Sequence, residues 1–232
     1  ARVNIPGGTL RLSAAYDPTV SEVKLTAGVN IERFEYGIIA RRFGRRDDID
    51  GLISMNLDIA GKAPSLDKLL LHAEGKMDFA VWPKELSSGV FSLWSVNLVL
   101  SLLPLFDPDG ESKVNCIVGR FDLKDGKLSD DKMIIDTTRL RIRGTGTANL
   151  VTEELAFVFR PRAKGLALFR LQTPLRVSGT FADYRIGINR RDLFASVLRL
   201  IASPILLPIE RFTLGPLPYD GADVCMDPLR AN

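Results

Sequence analysis

Histidine is nearly absent from this chain of 232 residues: His72 stands alone, beside two cysteines and two tryptophans. One imidazole excludes most zinc sites and nearly every nucleophile–histidine pair, so no metal, no cofactor and no enzyme activity are expected; Asp, Glu, Lys or Tyr would have to act as acid and base. Cys116 and Cys225 lie too far apart for a Cys-x-x-Cys metal pair or a dense disulfide framework. They form either one bridge, in an oxidising compartment, or two buried thiols. Neither charge sign dominates: 31 basic and 28 acidic side chains leave a net charge of +3, spread along the chain without a basic block, so nucleic acid is not an expected partner. A long uninterrupted apolar run is also missing. Val90 to Phe106 is broken by Ser92, Ser95, Asn97, Ser101 and Pro104, which suits an interfacial or core helix better than a membrane span. Ala1 opens no basic and apolar leader, so a targeting sequence or anchor is expected to lie outside this chain.

What the chain has in quantity is period-two alternation, and at 46% hydrophobic it can bury a sizeable core. Leu10 and Leu12 alternate with Thr9, Arg11 and Ser13, and Val23, Leu25, Ala27 and Val29 with Lys24, Thr26 and Gly28. Ile53 to Ile59 and Met77 to Val81 repeat the pattern. So do Gly119 to Leu123, Leu140 and Ile142 against Arg139, Arg141 and Arg143, Leu155 to Phe159, and Leu175 to Phe181. These read as half-buried strands. Asp125-Gly126 predicts a tight hairpin, so neighbouring strands should be antiparallel. Helical signals are few: Ser65 capping a short helix through Leu71, Asn30 opening Ile31 to Arg42 with a strand as the alternative, and apolar stretches near 88–103 and 192–203, the second ended by Pro204 and Pro208. No linker is evident. The expected organisation is strands and a possible helix over 1–48, continuous with the sheet; a β-groove region over 49–211; and an irregular, Gly- and Pro-containing tail over 212–232.

Several blocks, taken in order, resemble the C-terminal region of the AsmA family of bridge-type lipid transfer proteins. They are Ile49 to Lys62, a glycine-led strand entering a short helix; Leu71 to Phe79, with Glu74-Gly75-Lys76; Cys116 to Gly126, a cysteine-containing strand ending in Asp-Gly; Leu140 to Leu150, with Gly144-Thr145-Gly146; Thr173 to Thr180; and Cys225 near the end. Tyr184 departs from the family's usual proline, and the blocks before Ile49 match poorly. The resemblance implies a mainly β fold with a few helices: an elongated, curved antiparallel sheet, an open or taco-like groove whose apolar face short helices partly cover. It implies the periplasmic side of the inner membrane in a Gram-negative envelope, with phospholipid and the membrane surface as partners. It also implies work in lipid transport, or alternatively in outer-membrane protein assembly with an envelope protein added at a sheet edge.

An antiparallel sheet with one apolar face must cover that face or fill it with ligand. Candidate lipid-lining residues are Met55, Leu57, Met77, Phe79, Phe121, Leu123, Phe157, Phe159, Val177 and Phe181; the competing reading is an ordinary core. Arg41, Arg42, Arg45 and Arg46 are candidates for anionic headgroup contact, though beside Asp47, Asp48 and Asp50 they also read as a solvated turn. Gly144-Thr145-Gly146 lacks the strand–loop–helix context of a phosphate loop and reads as small residues within a strand. The acids Asp122, Asp125, Asp130 and Asp131 read as a solvated turn before they read as a catalytic set.

Overall fold

Alternating segments separated by turns fold here into a simple meander. The computed structural model describes residues 2–5, 7–17, 22–42, 50–85, 113–164, 173–188 and 225. The strands are β1 (Arg2–Ile5), β2 (Gly8–Asp17), β3 (Val23–Glu35), β4 (Asp50–Ala63), β5 (Ala73–Glu85), β6 (Val114–Lys124), β7 (Lys127–Thr137), β8 (Leu140–Asn149), β9 (Glu154–Ala163), β10 (Leu175–Thr180) and β11 (Tyr184–Gly187). They form one 11-stranded sheet in which each strand neighbours its predecessor, and every paired strand is antiparallel to its partner.

Helix is scarce among the described residues: α1 (Gly37–Arg42) and a 3-10 turn over Leu66–His72. The turn begins where Ser65 predicts it, with the Lys68 N–H donating to the Ser65 carbonyl at 3.2 Å, and exposed His72 ends it. A helix from Ile31 does not form. β3 runs on to Glu35, because β2 and β4 pair with it on both sides and take up the backbone groups that a helix would satisfy internally. The helices expected near 88–103 and 192–203 lie outside the described residues.

The sequential order sorts the connections between two rims. The turns at 125–126, 150–153 and 181–183 share one rim with the 3-10 turn, while the connections 36–49, 86–113 and 164–174 leave from the other. At the tightest turn Asp125 and Gly126 both have positive φ, 50° and 73°, the backbone of a two-residue hairpin loop.

Bulges interrupt the ladder near Arg33, Gly51, Asn115 and Asp131, and such insertions bend and twist the strand that carries them. Gly51 has a φ of 153°. A Cβ there would run into the Tyr36 hydroxyl and the Trp82 carbonyl, which accounts for the glycine that leads this strand.

Candidate functional site

Register decides which side chains share a face. Leu10, Ile31, Met55, Phe79, Gly119, Met133, Gly144, Phe159 and Leu175 are successive cross-strand partners from β2 to β10. At about 4.8 Å per strand, this apolar row extends about 38 Å. A parallel row joins Leu12, Val29, Leu57, Met77 and Phe121.

The glycines in the first row seat aromatic rings. A Cβ on Gly119 would strike Phe79 and Phe121, one on Gly144 would come 2.5 Å from the Met133 sulfur and 3.0 Å from Phe159, and one on Gly146 would strike Phe157. Gly144-Thr145-Gly146 therefore makes room for the rings of the neighbouring strand.

The predicted lining residues fall on this face: Met55 and Leu57 on β4, Met77 and Phe79 on β5, Phe121 and Leu123 on β6, Phe157 and Phe159 on β9, and Val177 on β10. Phe181 sits in the β10–β11 turn and packs against the same cluster. Exposure separates them into two groups. Phe121, Leu123, Phe157, Phe159 and Val177 are buried, and all but Leu123 join one packed cluster with Ile135, Leu140, Ile142, Leu155 and Leu175. Met55, Leu57, Met77 and Phe79 are only half-buried. The face opens further toward β2, where Leu12 is 41% and Tyr16 53% exposed, against 7% for Phe121. Leu12, Tyr16, Leu25, Val29 and Ile31 extend the accessible part of the face. Their alternation is visible in the sequence, but only the register puts them on the same side as Met55 and Leu57.

Polar groups lie mostly at the rims and on the outward face; Asp130, the cross-strand partner of Phe121, is an exception. Tyr36 donates its hydroxyl proton to the Asp50 carbonyl at 2.9 Å, and burial first, then the Asp50 charge, pushes the phenol up to about 12. The Lys84 ammonium, 3.1 Å away, holds the Asp50 carboxyl below its usual value, with the Gly51 N–H adding to the effect. Of the predicted headgroup arginines, Arg41 pairs with Glu35 at 3.1 Å, Arg42 is exposed at the end of α1, and Arg45 and Arg46 lie outside the described residues.

Among the described residues the acids of this turn have separate surroundings. Asp122 is exposed and Asp125 forms the hairpin. The Asp130 carboxylate accepts the Gly146 N–H where the β7–β8 ladder is interrupted between Ser129 and Met133. The Asp131 side chain lies outside the described residues. No group of three His, Cys, Asp or Glu placed to hold a metal occurs among the described residues.

Cys116 and Cys225 form a disulfide, closing a sequence separation of 109 residues with Cα atoms 6.3 Å apart. Cys116 is on the outward face, and the buried pair packs with Ala80, Val118 and Trp82. Cys225 is thus held on the side opposite the apolar rows. A double Cys116→Ser/Cys225→Ser variant is expected to lose about 2–4 kcal/mol, mainly because the unfolded chain regains the freedom of a long loop. Urea melts of native and variant protein, with and without reductant, measure the difference, and reductant should lower only the native midpoint.

Beside the bridge lies a group that sequence reasoning missed. Asp136 is fully buried; its carboxylate accepts from Lys164 Nζ at 2.7 Å, Asn115 Nδ2 at 2.8 Å and Arg141 Nε at 3.3 Å. The one signal for it is an acid placed directly after the apolar Met133-Ile134-Ile135 run.

Among the described residues the chain is a single antiparallel sheet with one largely apolar face and one largely polar face. Over 145 residues the chain is 25% identical to the AsmA family protein YhjG of Escherichia coli (strain K12), a match covering 62% of this chain and 21% of that protein. This similarity relates the chain to the AsmA family. The chain therefore matches about a fifth of that relative's length. No family model matches the chain, and no solved structure does.

Proposed function

We propose that this chain is a periplasmic binding and conduit module for phospholipid acyl chains, acting in lipid transport between the inner and outer membranes and in envelope maintenance. The observation that carries the reading is the apolar row from Leu10 to Leu175, only half-buried through β2–β5. Apolar surface of this extent in contact with water favours an apolar occupant, and an acyl chain gains about 0.8 kcal/mol for each CH₂ it buries. Because the row repeats similar side chains at each strand, it offers many shallow sites of comparable affinity, so a tail can advance without leaving a deep well. Headgroups remain wet beyond the rims, and direction comes from partners or concentration gradients.

The family relationship supports a role in the envelope or in lipid transport, and a disulfide fits an oxidising compartment such as the periplasm. No helix among the described residues is long and apolar enough to cross a membrane.

The test is lipid extraction and mass spectrometry of protein purified from a Gram-negative envelope, combined with photo-crosslinking from Leu25 and Val29 in the open part and from Val177 in the closed part. Co-purified phospholipid and crosslinks from Leu25 and Val29 are expected. Absence of bound lipid and of crosslinks at both open positions would overturn the reading. A second reading, strand addition by an envelope protein, is favoured by the sheet edges: among the described residues β1 and β11 each have one strand neighbour. It predicts crosslinks to protein from β11 backbone positions.

A further inference from the structure

On the outward face of β3–β6 most charges are matched across the strands; an exception is Lys24 opposite Lys62, whose ammonium pairs with Glu22. Lys76 lies between Asp58 and Asp122, Arg120 is opposite Asp78, and Lys124 is opposite Glu74; the Arg120–Asp78 pair closes to 2.8 Å. The outward face of β8–β11 is built differently. Arg141 is opposite Arg162 and Arg143 opposite Arg160, while Arg176 and Arg185 continue the stripe diagonally onto β10 and β11. Glu154, at the start of β9, is the acid at the outward positions of these four strands.

Like charges directly opposite in a sheet are unfavourable, and Arg143 stands between Ile134 and Arg160 with no acid directly opposite it. Arg143, Arg160, Arg176 and Arg185 are all exposed. Arg143 and Arg185 make no ion pair among the described residues, and Arg160 donates to the Thr145 hydroxyl at 3.1 Å. Arg141 pairs with Asp136, yet its Nη2 is buried without a partner. Every cation of the stripe is arginine, whose planar fork matches two phosphate oxygens. Around it stand small hydroxyl side chains, Thr145, Thr147, Ser178 and Thr180, which can add hydrogen bonds to the same oxygens. A row of exposed guanidinium groups spread over four strands matches an extended anionic surface better than one small ion.

We propose that the outward face of β8–β11 is a docking surface for an anionic phospholipid bilayer, its arginines engaging headgroup phosphates. The surface lies opposite the apolar rows, so docking leaves that face accessible and holds whether or not the apolar face carries tails.

Flotation of the full 232-residue chain with phosphatidylglycerol/phosphatidylethanolamine vesicles, and with phosphatidylcholine vesicles, tests it. Binding is expected to the anionic vesicles alone and to weaken as salt rises. At about fivefold per arginine, Arg143→Gln/Arg160→Gln/Arg185→Gln should weaken partitioning about a hundredfold. Lys24→Gln/Lys76→Gln/Lys124→Gln, which removes the same charge from the balanced half, should change it far less. The single variants Arg143→Gln and Arg185→Gln, at exposed positions without ion pairs, should each show about a fivefold loss even if the triple variant unfolds. Equal binding to neutral vesicles, undiminished binding by the arginine variants, or an equal loss in the lysine variant would overturn the proposal.

Discussion

Phe159→Ala is expected to destabilise the protein by about 3–5 kcal/mol, whereas Leu12→Asn should leave its stability within about 1 kcal/mol. Both positions belong to the same apolar face, but Phe159 is 2% exposed and Leu12 is 41% exposed. Phe159 packs within the cluster and fills the space left by Gly144. Alanine there removes the ring and leaves a cavity that paired strands on both sides cannot collapse, since β8 and β10 hold β9 in register. Chemical denaturation of the two variants measures the contrast. Retention of native stability by Phe159→Ala would show that the β6–β10 end is not a packed core, and that the open groove continues through it. The variant at Leu12 carries the functional side of the comparison: its fold should persist while bound lipid falls.

Asp136→Ala should cost about 3–5 kcal/mol, an effect of similar size with an electrostatic cause. The substitution leaves Arg141 and Lys164, whose side chains are 12% and 9% exposed, without the carboxylate they share. Two cations then face each other where water is largely excluded. Replacing the three together, as Asp136→Leu/Arg141→Met/Lys164→Met, should recover most of the loss, because it removes the charges together with their need for partners. Thermal melts of the single and triple variants check this. A triple variant no more stable than Asp136→Ala would mean that the hydrogen-bond geometry at Asp136, and not charge compensation, holds this corner of the sheet.

The position of this cluster bears on the bridge beside it. Cys116, Asp136, Arg141 and Arg162 are consecutive cross-strand partners on the outward face. The disulfide and the buried carboxylate therefore secure adjacent strands at the rim from which the long connections leave. The apolar face is untouched by either device. Stability at this end can come from the outward side, while the inward side remains free to meet an occupant.

Alternation along Leu10 to Leu12, Ile53 to Ile59 and Met77 to Val81 was legible as strand because side-chain direction in a strand depends only on parity. Asp125-Gly126 was legible as a hairpin because the turn needs positive φ at both positions. The proposed lining residues on the strands share a face for the same reason. Ile31 to Arg42 was harder: the local pattern suited a helix as well as a strand, and pairing with β2 and β4 decided in favour of the strand as far as Glu35. Arg141 and Arg143 could be read as outward residues of one strand, but not as standing opposite Arg162 and Arg160. That opposition is a fact of register, and a shift of one residue would have turned every one of these side chains to the other face.

The sequence by itself determined most strand identities, the Asp125-Gly126 hairpin and the segregation of apolar from polar side chains. These follow from parity, backbone conformation and residue chemistry, all of which act within a few residues. Tertiary structure alone decided which part of the apolar face is closed and which is open, that Asp136 is buried among cations, and that Cys225 is held on the outward side. The reason is physical: burial and charge compensation depend on which strands meet and in what register, and those contacts join residues up to 109 positions apart.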